Sequence, residues 1–132
     1  MEELEIMKRY RNPTYRDDVG GFLQEYSELP GIIVVSASGD NPLCGDTLKI
    51  GISVDADLRT VNHACYDGYG CSLCIASAEV LLESIKGKSV DACLAMSVNE
   101  LLACLGDVIV GRTRMKCIEL PLLVLKKALS SF

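Results

Sequence analysis

The hydrophobic period of this sequence changes once, at Gly70, and that change limits the folds open to the chain. From Thr47 to Val54 apolar and polar residues alternate, which is the pattern of a strand with one buried face. After Gly70 the apolar residues recur at helical spacing instead. The sequence therefore predicts strands first and helices second, in an α+β domain.

Two further strands are predicted on either side of the alternating one. A β-branched run covers Ile32 to Ser38, and a second candidate covers Leu58 to Tyr66. The turns predicted at 39–42 and 55–57 are short. Three consecutive strands with short connections predict an antiparallel meander.

Four helices are predicted beyond Gly70. The first runs from Ser72 to Lys86, and Ser89 and Ser97 are suitable caps for the next two. In the last helix Pro121 has no N–H to donate and disfavours a helical Leu120, so regular helix is predicted to begin at one of these two residues. The predicted fold is α+β, a three-stranded antiparallel sheet with helices packed on one face.

The amino-terminal segment, residues 1–30, is predicted to be a partly mobile arm of a single domain that covers 1–132. A short helix is expected before the turn at Asn12 and Pro13. Tyr15 to Pro30 is polar and contains two adjacent glycines, so an irregular connection with one helical turn is expected there.

Composition narrows the function. The chain is 49% hydrophobic and 23% charged with a formal charge of −5, which argues against a nucleic-acid partner. No apolar run has the length of a signal peptide or a membrane span, so a cytoplasmic location without membrane partners is predicted. In that reducing compartment seven cysteines are expected to be thiols or metal ligands.

Three cysteines stand at predicted junctions between elements. Cys44 lies in a turn before a strand, Cys71 at the amino end of a long helix, and Cys117 just before the last helix. Helix amino ends lower the pKa of a thiol and favour the thiolate that binds metals. Asp46 adds a carboxylate two residues after Cys44. Sequence spacing alone does not say whether these side chains meet.

The other cysteines have simpler interpretations. Cys93 and Cys104 lie in apolar helical segments and are expected to be structural. Cys74 is expected to pack in the core, although its spacing from the cysteine three positions earlier also fits a redox pair or half of a zinc site. The role of Cys65 stays open. His63, on the same strand face, is expected at the surface and is a minor ligand candidate.

Three motifs resemble those of the U-type iron–sulfur scaffold family, which includes IscU, SufU and the amino-terminal domain of NifU. They are Asn-Pro-x-Cys-Gly-Asp at 41–46, Gly-Cys-x-x-x-x-Ala-Ser at 70–77, and the lysine–cysteine pair at 116–117. The likeness extends from residues 10–13 nearly to the end of the chain.

The resemblance implies an assembly scaffold rather than an enzyme. Such a domain receives sulfur from a cysteine desulfurase, combines it with iron into a [2Fe-2S] cluster, and passes the cluster to apo acceptor proteins. By motif position the ligands would be Cys44, Asp46, Cys71 and Cys117, with Cys117 as the persulfide acceptor. A homodimer that shares one cluster is compatible with this role. The hard carboxylate oxygen of Asp46 is a poorer ligand than a thiolate for a sulfide-bridged iron centre, which favours release of the cluster.

Lys116 stands where many IscU-type scaffolds have histidine. A protonated lysine cannot ligate a metal, so Lys116 is expected to pair with Asp46 or to tune the thiolate of Cys117. Lysine at this position is similar to the SufU branch, but that branch's usual insertion is absent. One alternative is therefore a zinc-dependent SufU-like sulfurtransferase that holds Zn²⁺ at the same four residues. Another is an interaction module with incidental cysteines.

The chaperone-binding stretch of IscU-type scaffolds, Leu-Pro-Pro-Val-Lys, is also missing, so that contact is not predicted. The segment 110–116 in its place contains a basic cluster of Arg112, Arg114 and Lys116. This cluster either meets an acidic patch on a desulfurase or is a solvated loop, and the sequence leaves both open.

Overall fold

A computed structural model describes residues 3–42 and 45–132. In these ranges six helices and three strands follow one another. The chain begins with two helices, α1 (Glu3–Arg11) and α2 (Val19–Ser27), and continues with the strands β1 (Ile32–Asn41), β2 (Asp46–Asp55) and β3 (Thr60–Tyr69). The remaining helices are α3 (Ser72–Ile85), α4 (Val90–Leu94), α5 (Val98–Cys104) and α6 (Arg112–Leu129).

The sheet is the predicted antiparallel meander, with β2 between β1 and β3. The predicted turn at 39–42 is wrong over its first three residues, because β1 continues through residues 39–41, and β3 runs past the predicted end at Tyr66 to Tyr69. Asn41 pairs with Asp46 at the end of the first hairpin. An extended Asn41 is consistent with the proline that follows it, since a residue before proline disfavours helical angles.

The main core lies between one sheet face and the later helices, as the sequence predicts. The alternating residues of β2 are at most 2% exposed and face this core; they are Leu48, Ile50, Ile52 and Val54. Gly39 lets α6 approach β1, because a Cβ there would lie 2.9 Å from Cγ2 of Val124. The α+β class is confirmed.

The other sheet face is covered by α2, and the expectation of an irregular segment there is wrong. Asp18 caps this helix by accepting a hydrogen bond from the backbone N–H of Gly21 at 3.1 Å. Val19 and Phe22 are buried against the sheet, where Gly51 leaves room for them. Burial of these two side chains stabilises a helix that its glycines disfavour.

The amino-terminal segment is held to α3 by specific polar contacts. The buried Glu79 carboxylate accepts hydrogen bonds from the backbone N–H groups of Thr14 and Tyr15 at 2.7 and 2.9 Å. Arg9 forms a 2.7 Å ion pair with Glu83, and Ile6 is buried in the main core. The mobility of residues 1–30 stays a prediction, as does the single-domain organisation.

The last helix begins eight or nine residues earlier than predicted, at Arg112, and runs through Pro121. Proline has no N–H to donate to the carbonyl four residues earlier in a helix. Leu120 and Pro121 are buried, and their packing outweighs that local preference. Cys117 therefore lies inside the helix, in its second turn, rather than before it. No helix among the described residues has both the length and the apolar character that crossing a membrane requires.

Candidate metal centre

Three elements bring two thiols and a carboxylate together at one end of the sheet. Asp46 is the first residue of β2, Cys71 directly precedes α3, and Cys117 lies in α6. One potential ligand atom from each side chain lies within 4.8 Å of the other two. Asp46 and Cys117 are each 1% exposed, whereas Cys71 is half-buried. The site is therefore largely enclosed, with Cys71 its most accessible member.

The Asp46 carboxylate has one satisfied and one unsatisfied oxygen. Its Oδ1 accepts a hydrogen bond from the backbone N–H of Cys71 at 3.0 Å. Its Oδ2 is buried and has no hydrogen-bond partner within residues 3–42 and 45–132. A buried carboxylate oxygen without a donor is costly, and a cation beside it removes that cost. This oxygen suits a metal ligand.

Gly70 makes the close approach of the two motifs feasible. A Cβ at this position would lie 3.0 Å from Sγ of Cys74 and 3.5 Å from Oδ1 of Asp46. A side chain would therefore push α3 away from the start of β2. Gly70 belongs to the second motif and marks the change of hydrophobic period, but the sequence did not predict that it contributes to the packing of the site.

The two cysteines differ in their relation to a helix dipole. Cys71 occupies the N-cap of α3, as predicted, and its side chain makes no capping hydrogen bond. The dipole there favours the thiolate form. Cys117 lies in the second turn of α6, beyond the range over which the helix dipole acts. The predicted lowering of its thiol pKa by a helix amino end therefore does not apply.

Cys44 lies outside the described residues, and its role as a ligand stays a prediction. It stands two positions before Asp46, and the glycine between them, Gly45, has a φ of +71°. That backbone angle suits glycine, which explains why the motif has this residue before the carboxylate.

The Lys116 side chain is exposed, and its predicted effect on the thiolate of Cys117 stays a prediction. The ion pairs of the described residues are Arg9–Glu83 and Arg16–Asp67, so Lys116 does not pair with Asp46 here. Lys116 instead lines a groove of about 310 Å³ beside Asn41 and Glu119. Arg112 and Arg114, in the first turn of α6, are exposed too.

Cys65 and His63 lie on the sheet face that α2 covers, away from the three clustered side chains. Cys65 packs with Val19 and Phe22, and burial raises the pKa of its thiol to about 12. The His63 ring lies 4.9 Å from the ring of Tyr26. Both residues are part of the packing between α2 and the sheet.

The remaining cysteines do not join the cluster either. Cys93 is buried, and burial raises the pKa of its thiol, which fits a structural role. Cys74 is fully buried in the main core, as expected. Cys104 is exposed at the end of α5, so the prediction that it packs inside is wrong.

Two thiols and a carboxylate form a donor set of mixed softness. Thiolate ligands favour zinc or iron–sulfur clusters over harder metal ions, and an oxygen ligand makes this preference weaker. The fold and this donor set define a small α+β domain with a candidate metal site, made of two thiols and a carboxylate, where a strand and two helices meet.

The chain belongs to the family of NifU-like N-terminal domains, whose family model matches residues 1–132. This confirms the resemblance to U-type scaffolds. The zinc-dependent sulfurtransferase SufU of Bacillus subtilis is 36% identical over 92 residues, 70% of this chain and 53% of that protein. The iron–sulfur cluster assembly scaffold protein IscU of Buchnera aphidicola (subsp. Schizaphis graminum) is 38% identical over 85 residues, 64% of this chain and 59% of that protein.

The chain thus spans little more than half the length of these relatives. The crystal structure of the protein FiSufU from Fervidobacterium islandicum AW-1 superposes with a TM-score of 0.68. It is 21% identical, and the match covers 98% of this chain and 96% of that one. This likeness supports the fold.

Proposed function

We propose that this protein is a scaffold on which an iron–sulfur cluster is assembled and from which it is transferred. The observation that carries the proposal is the cluster of Asp46, Cys71 and Cys117, whose ligand atoms lie within 4.8 Å of one another around a buried, unpaired carboxylate oxygen. Cys44 is proposed as the fourth ligand from its motif position. The cargo is a [2Fe-2S] cluster.

In the sulfur-transfer step the proposed acceptor is Cys117. Its thiolate attacks the terminal sulfur of a persulfide on a cysteine desulfurase. A new S–S bond forms on Cys117, the S–S bond of the donor breaks, and the donor cysteine leaves as a thiolate. Conversion of that sulfur to sulfide then takes electrons from an external reductant. Because Cys117 is 1% exposed, the desulfurase must open the site to reach it.

The proposed partners follow from the same role: a cysteine desulfurase, apo iron–sulfur acceptor proteins, and a second copy of the chain where one cluster is shared. The exposed basic residues of α6 offer a surface to an acidic desulfurase patch. The protein acts as a scaffold rather than an enzyme in this proposal, and it works in the cytoplasm.

Anaerobic reconstitution tests the proposal. The full chain is incubated with iron, cysteine and a desulfurase, and visible absorption and iron and sulfide contents are measured. Cys71→Ser and Cys104→Ser form a matched pair, since both remove a thiol that is not fully buried but only the first belongs to the site. We expect a reddish-brown product from the wild type and Cys104→Ser and little from Cys71→Ser. A colourless wild type would refute the proposal.

A second candidate is a zinc-dependent sulfurtransferase, favoured by the 36% identity to a protein of that name. Here Zn²⁺ is held by the same four residues until the desulfurase displaces Cys117. One tightly bound zinc after anaerobic purification, together with a large increase in desulfurase turnover, would support this function over the scaffold. Zinc-free protein that accumulates iron and sulfide would exclude it.

A further inference from the structure

Two of the unsatisfied polar atoms in the structure belong to a single cross-strand pair. Within residues 3–42 and 45–132, four buried side-chain nitrogen or oxygen atoms have no hydrogen-bond partner, and two of them are Asn41 Nδ2 and Asp46 Oδ2. Asn41 is 6% exposed and Asp46 is 1% exposed. Buried polar groups are nearly always paired, so this pair requires an explanation.

The two side chains do not satisfy each other, although they could. Asn41 and Asp46 are direct partners at the end of β1 and β2, and side chains of directly paired residues lie on the same sheet face. An amide-to-carboxylate hydrogen bond would remove both penalties. The Asn41 amide and the Asp46 carboxylate remain unbonded although their residues are strand partners. This arrangement is consistent with a third group that binds between or beside them.

The chemistry of that group follows from the neighbours of Asp46. An amide nitrogen donates to an anion or a lone pair, and the atoms clustered with Asp46 are the sulfurs of Cys71 and Cys117. Sulfur of a metal-bound thiolate or of inorganic sulfide is anionic and accepts N–H donors, and such bonds tune the stability and potential of metal–sulfur centres.

We propose that the Asn41 carboxamide donates a hydrogen bond to anionic sulfur held beside Asp46, and so acts as a positioning residue for the cargo. The inference rests on the proposed metal centre and adds a residue to it. The sulfur is either the thiolate of a cysteine ligand or sulfide of the cargo itself. In both cases Asn41 stabilises the loaded state and leaves the metal-free state with an unpaired donor.

The surroundings of Asn41 agree with this role. Asn41 lines the groove of about 310 Å³ that also contains Lys116, the residue before Cys117. Asn41 therefore borders both its strand partner Asp46 and an open groove, whose charged lining consists of Lys116 and the carboxylates of Asp40 and Glu119.

The test uses the full chain, Asn41→Leu, and the control Asn62→Leu. Leucine is apolar and removes the donor, and Asn62 is a half-buried strand residue near the opposite end of β3. Three quantities are measured for each protein: the melting temperature without metal, the affinity for Zn²⁺ alone by chelator competition, and the yield of cluster after anaerobic reconstitution with iron and sulfide.

We expect metal-free Asn41→Leu to melt at or above the wild-type temperature, since a buried unpaired donor has been removed. If the acceptor is a thiolate, Zn²⁺ affinity falls about 10- to 100-fold, and the cluster yield falls as well. If the acceptor is sulfide, Zn²⁺ affinity is unchanged and only the cluster yield falls. Asn62→Leu should match the wild type in both metal measurements.

Two results would overturn the inference while the proposed function survives. One is equal Zn²⁺ affinity and equal cluster yield in Asn41→Leu and wild type. The other is a metal-free Asn41→Leu that melts clearly below Asn62→Leu, which would make Asn41 a structural residue. Failure of the wild type itself to bind either metal would instead refute the proposed function, and this inference with it.

Discussion

In the proposed scaffold function, Asp46 is the ligand whose chemistry most affects whether the cluster is retained or released. Its carboxylate is buried and receives one hydrogen bond, from the backbone of Cys71, so its orientation is set before any metal arrives. As a hard anionic oxygen it would bind a sulfide-bridged iron centre less tightly than a thiolate would, and it adds negative charge to an enclosed site. The hard oxygen donor and the added negative charge both favour release of a bound cluster.

Replacement of this carboxylate should therefore slow cluster transfer. We expect Asp46→Ala, once reconstituted, to pass its cluster to an apo-ferredoxin about tenfold more slowly than wild type, because the hard, negatively charged oxygen that favours departure of the cluster has been lost. The measurement follows the acceptor by circular dichroism. Asp40→Ala is the control, because Asp40 is an exposed carboxylate on the same hairpin. Equal rates for Asp46→Ala and Asp40→Ala would argue against a release function.

At the scale of elements, α2 forms a layer of its own on the sheet face opposite the main core. Its contact with the sheet depends on Gly51, where a Cβ would lie 3.0 Å from Cγ1 of Val19 and 3.1 Å from Cδ1 of Phe22. A methyl group at such distances would displace Val19 or Phe22, so the packing of this helix depends on the absence of a side chain at Gly51.

We expect Gly51→Ala to lower the free energy of unfolding by about 1–3 kcal/mol through overpacking. Urea denaturation measures the loss, and Val19→Ala in the same background should recover part of it, as a double-mutant cycle would show. Gly20→Ala is the matched control: a Cβ there has its nearest contact at 3.7 Å, and alanine favours helix, so this change should be neutral or stabilising. A Gly51→Ala protein as stable as wild type would contradict the packing described.

Elements stabilised by local sequence were predictable, and those stabilised by tertiary packing were not. The alternation in β2 and the serine caps of α4 and α5 are local features, and the structure has the strand and both caps. Burial alternates only in the first half of β2, because α2 covers the other sheet face from Gly51 onward. Helix α2 contains two glycines and is stabilised by burial of one face, which no local pattern reports. The start of α6 was placed too late because the penalty of Pro121 was weighed without its packing.

The candidate site shows the same division between what local sequence predicts and what tertiary structure decides. Its members are far apart in sequence, and motif resemblance rather than spacing grouped them. The structure brings Asp46, Cys71 and Cys117 together through the hairpin, the start of α3 and the second turn of α6. The unpaired amide of Asn41 could not be seen in the sequence, because an asparagine before a proline has an adequate local explanation as a turn residue.

For the whole molecule, the site links three elements that otherwise meet through packing and through the hydrogen bond from the Cys71 backbone to Asp46. A metal bound by Asp46, Cys71 and Cys117 would connect the central strand to both long helices, α3 and α6. A ligand that binds the folded chain and not the unfolded one stabilises the fold by mass action. Metal loading is therefore expected to act on global stability as well as on the site.

With free Zn²⁺ at about a hundred times its dissociation constant the gain is about 2.7 kcal/mol, or a rise of roughly 5–15 °C in melting temperature. Scanning calorimetry with zinc and with a chelator measures it. Cys104→Ser should retain the rise and Cys71→Ser should lose most of it, since only Cys71 belongs to the cluster. Hydrogen exchange locates the effect: amides at the start of β2, the start of α3 and the second turn of α6 should gain protection first. Equal melting temperatures with zinc and with chelator would show that these three side chains do not bind the metal together.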